Sequence, residues 1–173
     1  MHCMEKTYCS LGQKFDTDII GIEEDQQGCI WVLTKGGELW KSESKQLSVK
    51  TTFKPWTKGL KSGETYQMYK DKHGHIWLGD SRGGIVCITT STGEVAAFTL
   101  ASEGETGLSE AILQFCLDSR NRLWVVTTGP LVLFDYKKKE SRPVALKYGE
   151  QKIKRIYSVS YTHLRAHETP EHL

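Results

Sequence analysis

The chain has 173 residues, enough for one domain of ordinary size with a real core. Its 23 Lys+Arg nearly balance 21 Asp+Glu, a formal net charge of +2, which is not the electrostatic footprint of a nucleic-acid binder. Hydrophobic residues at 38% and charged residues at 25% exclude general disorder, and no run approaches the roughly 18 uninterrupted apolar residues of a membrane span.

The opening MHCMEKTYCSLGQKF lacks the basic-then-apolar order of a secretory signal. The expectation is a cytosolic protein, or a chain that begins inside a longer one, with residues 1–14 as a lead-in. The first patterned stretch follows. Ile20 and Ile22 alternate with other residues at period two, the mark of a strand with one buried face. Then comes DQQGCIW, Asp25 to Trp31, in which Asp25 and Gly28 carry turn chemistry. The carboxylate can accept backbone N–H groups across a reversal, and Gly tolerates the left-handed position. A second strand, CIWVLT, runs to Thr34. The Gly36-Gly37 pair breaks it, ELWKS forms a third strand, and LSVKTTF from Leu47 to Phe53 is expected as a polar fourth. FKPWTKGLKSGE, Phe53 to Glu64, is a connection holding Trp56.

The same order then returns. Tyr66 and Met68 precede DKHGHIW, where Asp71, Gly74 and Trp77 match Asp25, Gly28 and Trp31. HIWLGD, Gly83-Gly84, IVCIT and EVAAFTL (Glu94 to Leu100) continue that unit. SEGETGLSE, Ser102 to Glu110, joins it to a third. There Leu113 and Phe115 precede DSRNRLW, with Asp118, Asn121 and Trp124 at the matching places. RLWVVT, Gly129-Pro130, LVLFD and RPVALKY (Arg142 to Tyr148) complete it. The short basic run YKKKE at Tyr136 is read as a solvated turn. The tryptophans stand 46 and 47 residues apart, and each acid precedes its tryptophan by six. A four-stranded unit repeated at that period is the signature of a β-propeller blade. The fold class is therefore all-β: a β-propeller fragment of four-stranded antiparallel blades, at about 15–60, 61–107 and 108–150. Each repeated phrase is the innermost hairpin of a blade. Its Trp is expected to pack between blades, with the indole N–H reaching a nearby carbonyl.

Gly149 and IKRIYSV, Ile153 to Val159, open a fourth unit at 151–159, so 15–159 forms a partial propeller. The rhythm calls for an acid near 160 and a Trp near 166, but the chain has Ser160, Tyr161, Ala166 and His167. SYTHLRAHETPEHL, 160–173, resembles a translated adapter-derived tail and is read as non-native; Thr162 to Leu173 is expected to form no blade strand. Three blades do not close a ring of four to eight, so further blades are expected outside this sequence.

The phrase Asp-x-x-Gly, apolar, Trp, with a double glycine before the third strand, resembles the two-component regulator propeller repeat. YQMYKDKHGHIWLGDSRGGIVCI matches best and IIGIEEDQQGCIWVLTKGGELW nearly as well; the third unit departs at Asn121 and Gly129-Pro130. The resemblance covers residues 15–159. It implies a seven-bladed sensor propeller in the extracytoplasmic part of a hybrid two-component protein that detects oligosaccharides. A periplasmic or extracytoplasmic location, a membrane-anchored parent and a homodimer of that parent follow from it in the same way. No nucleic-acid or membrane contact is expected at this segment. Two other classes compete: a propeller enzyme of the streptogramin-lyase type and a protein-interaction propeller. The first would need a His/Glu site converging on the channel, and no His recurs. The second would carry WD or kelch signatures, which are absent.

No residue pattern here carries catalysis. Three equivalent acids fit a repeated turn better than one special site. His73 and His75 share a hairpin with no third ligand in sequence, and His163, His167 and His172 lie in the tail, so neither metal nor cofactor is expected. The five cysteines contain no CxxC pair; Cys29, Cys87 and Cys116 sit among apolar strand residues as small buried hydrophobes. Trp56, placed in a connecting loop and facing solvent, is the ligand-contact candidate. Its alternative role is an anchor packed on the outer strand.

Overall fold

The computed structural model describes residues 14–45, 50–61, 66–100, 110–145, 153, 155–158 and 164–166. Among these residues every regular element is a strand. β1 (Ile19–Glu24), β2 (Ile30–Thr34), β3 (Leu39–Ser42) and β4 (Phe53–Trp56) form one sheet in that order. β5 (Tyr66–Lys70), β6 (His75–Asp80), β7 (Gly84–Thr89) and β8 (Glu94–Thr99) form the second. β9 (Ile112–Leu117), β10 (Leu123–Thr127), β11 (Leu131–Asp135) and β12 (Glu140–Val144) form the third. Each strand pairs antiparallel with the next in sequence, so each sheet is a short meander. These are the propeller blades the repeat calls for.

The turns follow from local chemistry. In each first hairpin the acid's N–H donates across the loop: Asp25 to the Cys29 carbonyl at 2.8 Å, Asp71 to His75 at 3.0 Å and Asp118 to Arg122 at 3.0 Å. The chain then needs a left-handed residue, supplied by Gly28 (φ 82), Gly74 (φ 86) and Asn121 (φ 59). Asn is the non-glycine residue that takes this conformation most readily, so the third hairpin closes like the others.

The innermost strands lie side by side, β1 by β5, β5 by β9 and β9 by β13. Apolar side chains fill the spaces between the sheets. Trp31, Leu33 and Leu39 of the first sheet pack with Tyr66, Ile76, Leu78, Val86 and Ile88 of the second. Trp77, Ile85 and Cys87 of the second pack with Phe115, Leu123, Val125 and Phe134 of the third. Trp124 and Val126 continue the series against Ile156. β6 comes so close to β9 that a Cβ on Gly79 would fall within 3.0 Å of the Ile112 and Phe115 side chains. The outer strands β8 and β12 are the most exposed of their sheets, as suits an edge carrying Pro and Glu, whereas in the first sheet the inner strand β1 is more exposed than β4.

Three expectations are corrected. The outer strand of the first blade is Phe53–Trp56, and of the expected 47–53, residues 50–52 are not strand while 47–49 lie outside the described residues. The Ser42 hydroxyl accepts the Ile30 N–H and donates to the Ser44 carbonyl, which bends the chain away before the return strand begins. In that register Phe53 and Trp56 point to opposite faces, Phe53 onto Phe15 and Trp56 onto Trp31, so both aromatics find partners. The outer strand of the third blade is Glu140–Val144, earlier than the expected 142–148. The Asp135 carboxylate accepts the Lys137 and Lys138 N–H groups and Lys139 adopts φ 60, which reverses the chain tightly at YKKKE.

The third correction concerns the far end, where β13 (Ile156–Ser158) pairs antiparallel with β14 (Leu164–Ala166). Residues 164–166 thus form a strand where none was expected. Pairing uses backbone N–H and C=O groups, so the open edge of β13 accepts a segment without the Asp-Gly-Trp phrase. Residues 1–13, the connection Ser102–Glu110 up to residue 109, Cys3, Cys9, residues 146–152, and the tail at 159–163 and 167–173 with its three histidines lie outside the described residues.

Candidate functional site

The repeated acids have their lone pairs occupied. Asp25 Oδ1 accepts the N–H groups of Gln27 and Cys29, both at 2.9 Å, while Oδ2 accepts the Trp31 indole N–H at 2.9 Å. Asp71 does the same for His73 (2.8 Å), His75 (3.0 Å) and Trp77 (2.9 Å). Asp118 holds Arg120 and Arg122, both at 2.9 Å, and Trp124 at 3.0 Å. The indole therefore bonds the acid six positions earlier, not the carbonyl expected. This explains the constant spacing: one carboxylate closes the hairpin with one oxygen and anchors the interblade wedge with the other. A carboxylate so committed has no free oxygen with which to act as general base or metal ligand.

Each pair also carries a basic partner that sequence reasoning missed. Lys41 Nζ lies 3.2 Å from Asp25 Oδ2 and 4.7 Å above the Trp31 ring. His75 Nδ1 is 2.8 Å from Asp71 Oδ2, with its ring edge-on to Trp77. Arg122 Nε is 2.6 Å from Asp118 Oδ2, and its guanidinium covers Trp124. His75 and Arg122 stand four residues after their acids, and that offset was legible. Lys41 enters from β3, where only the register Trp31↔Lys41 reveals it.

Burial pushes all three carboxyls up, but the indole N–H, the turn amides and the basic partner outweigh it. They hold Asp25, Asp71 and Asp118 below the ordinary carboxylate range. A pKa lower in the folded than in the unfolded chain contributes stability above the unfolded value, near 4. That contribution disappears as pH falls through the folded value. The urea midpoint is thus expected to drop clearly between pH 5 and pH 3; equal midpoints at both pH values would refute the coupling.

The remaining candidates resolve individually. Trp56 lies in β4, not in a loop; its ring centre is 5.0 Å from that of Trp31 and Lys58 stands over it. Its indole nitrogen is buried, so the side chain serves the interblade wall. His73 Nε2 meets Asn121 Oδ1 at 2.9 Å, and Gln26 Nε2 donates to the Lys72 carbonyl at 3.0 Å, tying each acid hairpin to the next. Among the described residues no group of three His, Cys, Asp or Glu side chains is placed to hold a metal ion. Cys29, Cys87 and Cys116 are buried thiols, and burial pushes Cys87 up to about 12.

A cleft of about 920 Å³ opens among the described residues at the acid-hairpin end of the blades. His73 and His75 of the second blade line it, together with the two hairpins of the third, 120–122 and 135–138. A smaller space of about 380 Å³ opens between β5, β9 and β13, bordered by Leu113, Gln114 and Tyr157.

This architecture defines a class: consecutive blades of a β-propeller whose repeated acids and tryptophans are structural. Three solved structures share it. The extracellular domain of the hybrid two component system BT4673 from B. thetaiotaomicron superposes with a TM-score of 0.67 at 20% identity, over 96% of this chain and 23% of that one. A second structure, of the extracellular domain of the one component system BT4673 from the same organism, gives 0.59 at 20% identity over 80% and 18%. The extracellular domain of the hybrid two component system BT3049, also from B. thetaiotaomicron, gives 0.56 at 19% identity over 84% and 18%. At these identities the likeness is one of fold, and the chain spans about a fifth of each of those proteins. No protein-family model and no curated protein matches the chain.

Proposed function

We propose that these blades belong to an extracytoplasmic sensing propeller of a two-component signalling protein, one that binds an oligosaccharide and carries out no chemistry on it. The observation that carries the reading is the fold shared with extracellular domains of such systems, together with acids already saturated by turn and indole bonds. Further blades are the natural partners of the outer face of the first sheet. There Ile20 and Ile22 are 43% and 61% exposed, where the second and third sheets each have a neighbour. Ligand binding belongs to loops and clefts that the blades hold rigidly. Calorimetry against a panel of glycan fragments, with chromatography of the recovered ligand, tests this. Binding with the ligand recovered intact is the expected result. Accumulation of a cleavage product would sink the non-catalytic reading, and absence of binding across the panel would sink the sensing one.

A further inference from the structure

Resting on that reading, we infer that the cleft at the acid-hairpin end of the second and third blades is a ligand site selective for an acidic saccharide, one bearing carboxylate or sulfate groups. The chain as a whole is nearly neutral, yet this cleft gathers Arg120, Arg122, Lys137, Lys138 and Arg142 against the carboxylates of Asp135 and Glu140. Part of that charge is already spent: Arg122 pairs with Asp118, and Asp135 turns one oxygen to the amides of Lys137 and Lys138. Arg120, Lys137, Lys138 and Arg142 make no ion pair with a described residue. They are exposed, so their charge is available to an entering anion.

The wall beside these cations suits a sugar ring. Tyr136 is half-buried, its ring 5.4 Å from Trp77 and 6.1 Å from His75, which fixes its orientation. A rigid aromatic face offers contact to sugar C–H groups at little entropic cost. Cations around it supply charge-assisted hydrogen bonds to carboxylate or sulfate, and Arg offers them as a bidentate fork. Arg120, Arg122, Lys137 and Lys138 come from two hairpins of one blade, 120–122 and 135–138, held at a set spacing by their Asp118 and Asp135 turns, and Arg142 adds a charge from β12. The site is thus mounted on the same acid-centred turns that build the fold.

The 173-residue chain, its folding checked by circular dichroism, would be titrated with a sulfated heparin tetrasaccharide, an oligogalacturonide and neutral cello- and xylotetraose. Binding of at least one acidic probe is expected, with no saturable binding of the neutral ones. The triple variant Arg120→Ala/Lys137→Ala/Lys138→Ala should weaken it about tenfold or more. Lys35→Ala, at the hairpin on the opposite end of the first blade, should leave it unchanged. Comparison of the two acidic probes separates sulfate from carboxylate recognition. Equal weakening by Lys35→Ala would reveal non-specific charge attraction and overturn the site. Saturable binding of the neutral probes alone would overturn it while leaving the sensing reading standing. If no saccharide bound, both would fall.

Discussion

Replacing Trp77 by alanine is expected to destabilise the protein by about 3–5 kcal/mol, the range for truncating a large buried aromatic. The indole is fully buried, and its packing partners come from the next blade: Phe115, Leu123, Val125 and Phe134. Its removal opens a cavity at the seam between two sheets that share few hydrogen bonds. Those are chiefly the bond from the Leu117 N–H to the Tyr69 hydroxyl at 3.1 Å, and the His73–Asn121 bond. Asp71 would lose its indole donor at the same time. Trp124→Ala should cost less, because that side chain is only half-buried. Urea unfolding of the two variants beside the parent protein reads both effects. Equal losses, or a Trp77→Ala protein as stable as its parent, would show that the repeated tryptophan is not the interblade wedge.

The second large effect is expected from Asp71→Asn, which preserves shape, removes the charge and replaces one acceptor oxygen with an NH₂ donor. Oδ1 takes two turn amides; Oδ2 takes the Trp77 indole and meets His75 Nδ1. An asparagine amide offers one acceptor and one donor, so whichever way it turns, an NH₂ group faces a donor. A buried donor left unpaired costs about 1–3 kcal/mol, and here a charged acceptor is lost as well. The expected loss is about 2–4 kcal/mol. The diagnostic is coupling. In a Trp77→Phe background the indole N–H is already gone, and Asp71→Asn should cost about 1 kcal/mol less. Strict additivity would show that the acid acts through the turn alone.

These two residues also mark where sequence reasoning ended. Blade number, strand order and the first two hairpins of each blade were legible because turn chemistry and period-two alternation are local, and three copies of one phrase fix the period. The left-handed residue after each acid was legible too, since few residue types take that conformation. Contacts between segments distant in sequence were not. The indole–carboxylate bond closes only when the hairpin's register brings positions six apart onto one side. Lys41 reaches Asp25 from a third strand, and Trp56 reaches Trp31 from a fourth. The return point of an outer strand was equally hidden, because a polar edge strand has no buried face to set its register. The far end shows the same limit from the other side: Leu164–Ala166 pairs with β13 through backbone groups that every sequence carries. The cationic cleft belongs to this second kind of knowledge. Arg120, Arg142 and the lysines at 137 and 138 read in sequence as scattered solvated charges. They become one surface only because antiparallel pairing returns both hairpins of the third blade to the same end of the sheet. Local chemistry along the chain determined the blades; the packing of blade on blade decided what their turns and edges present.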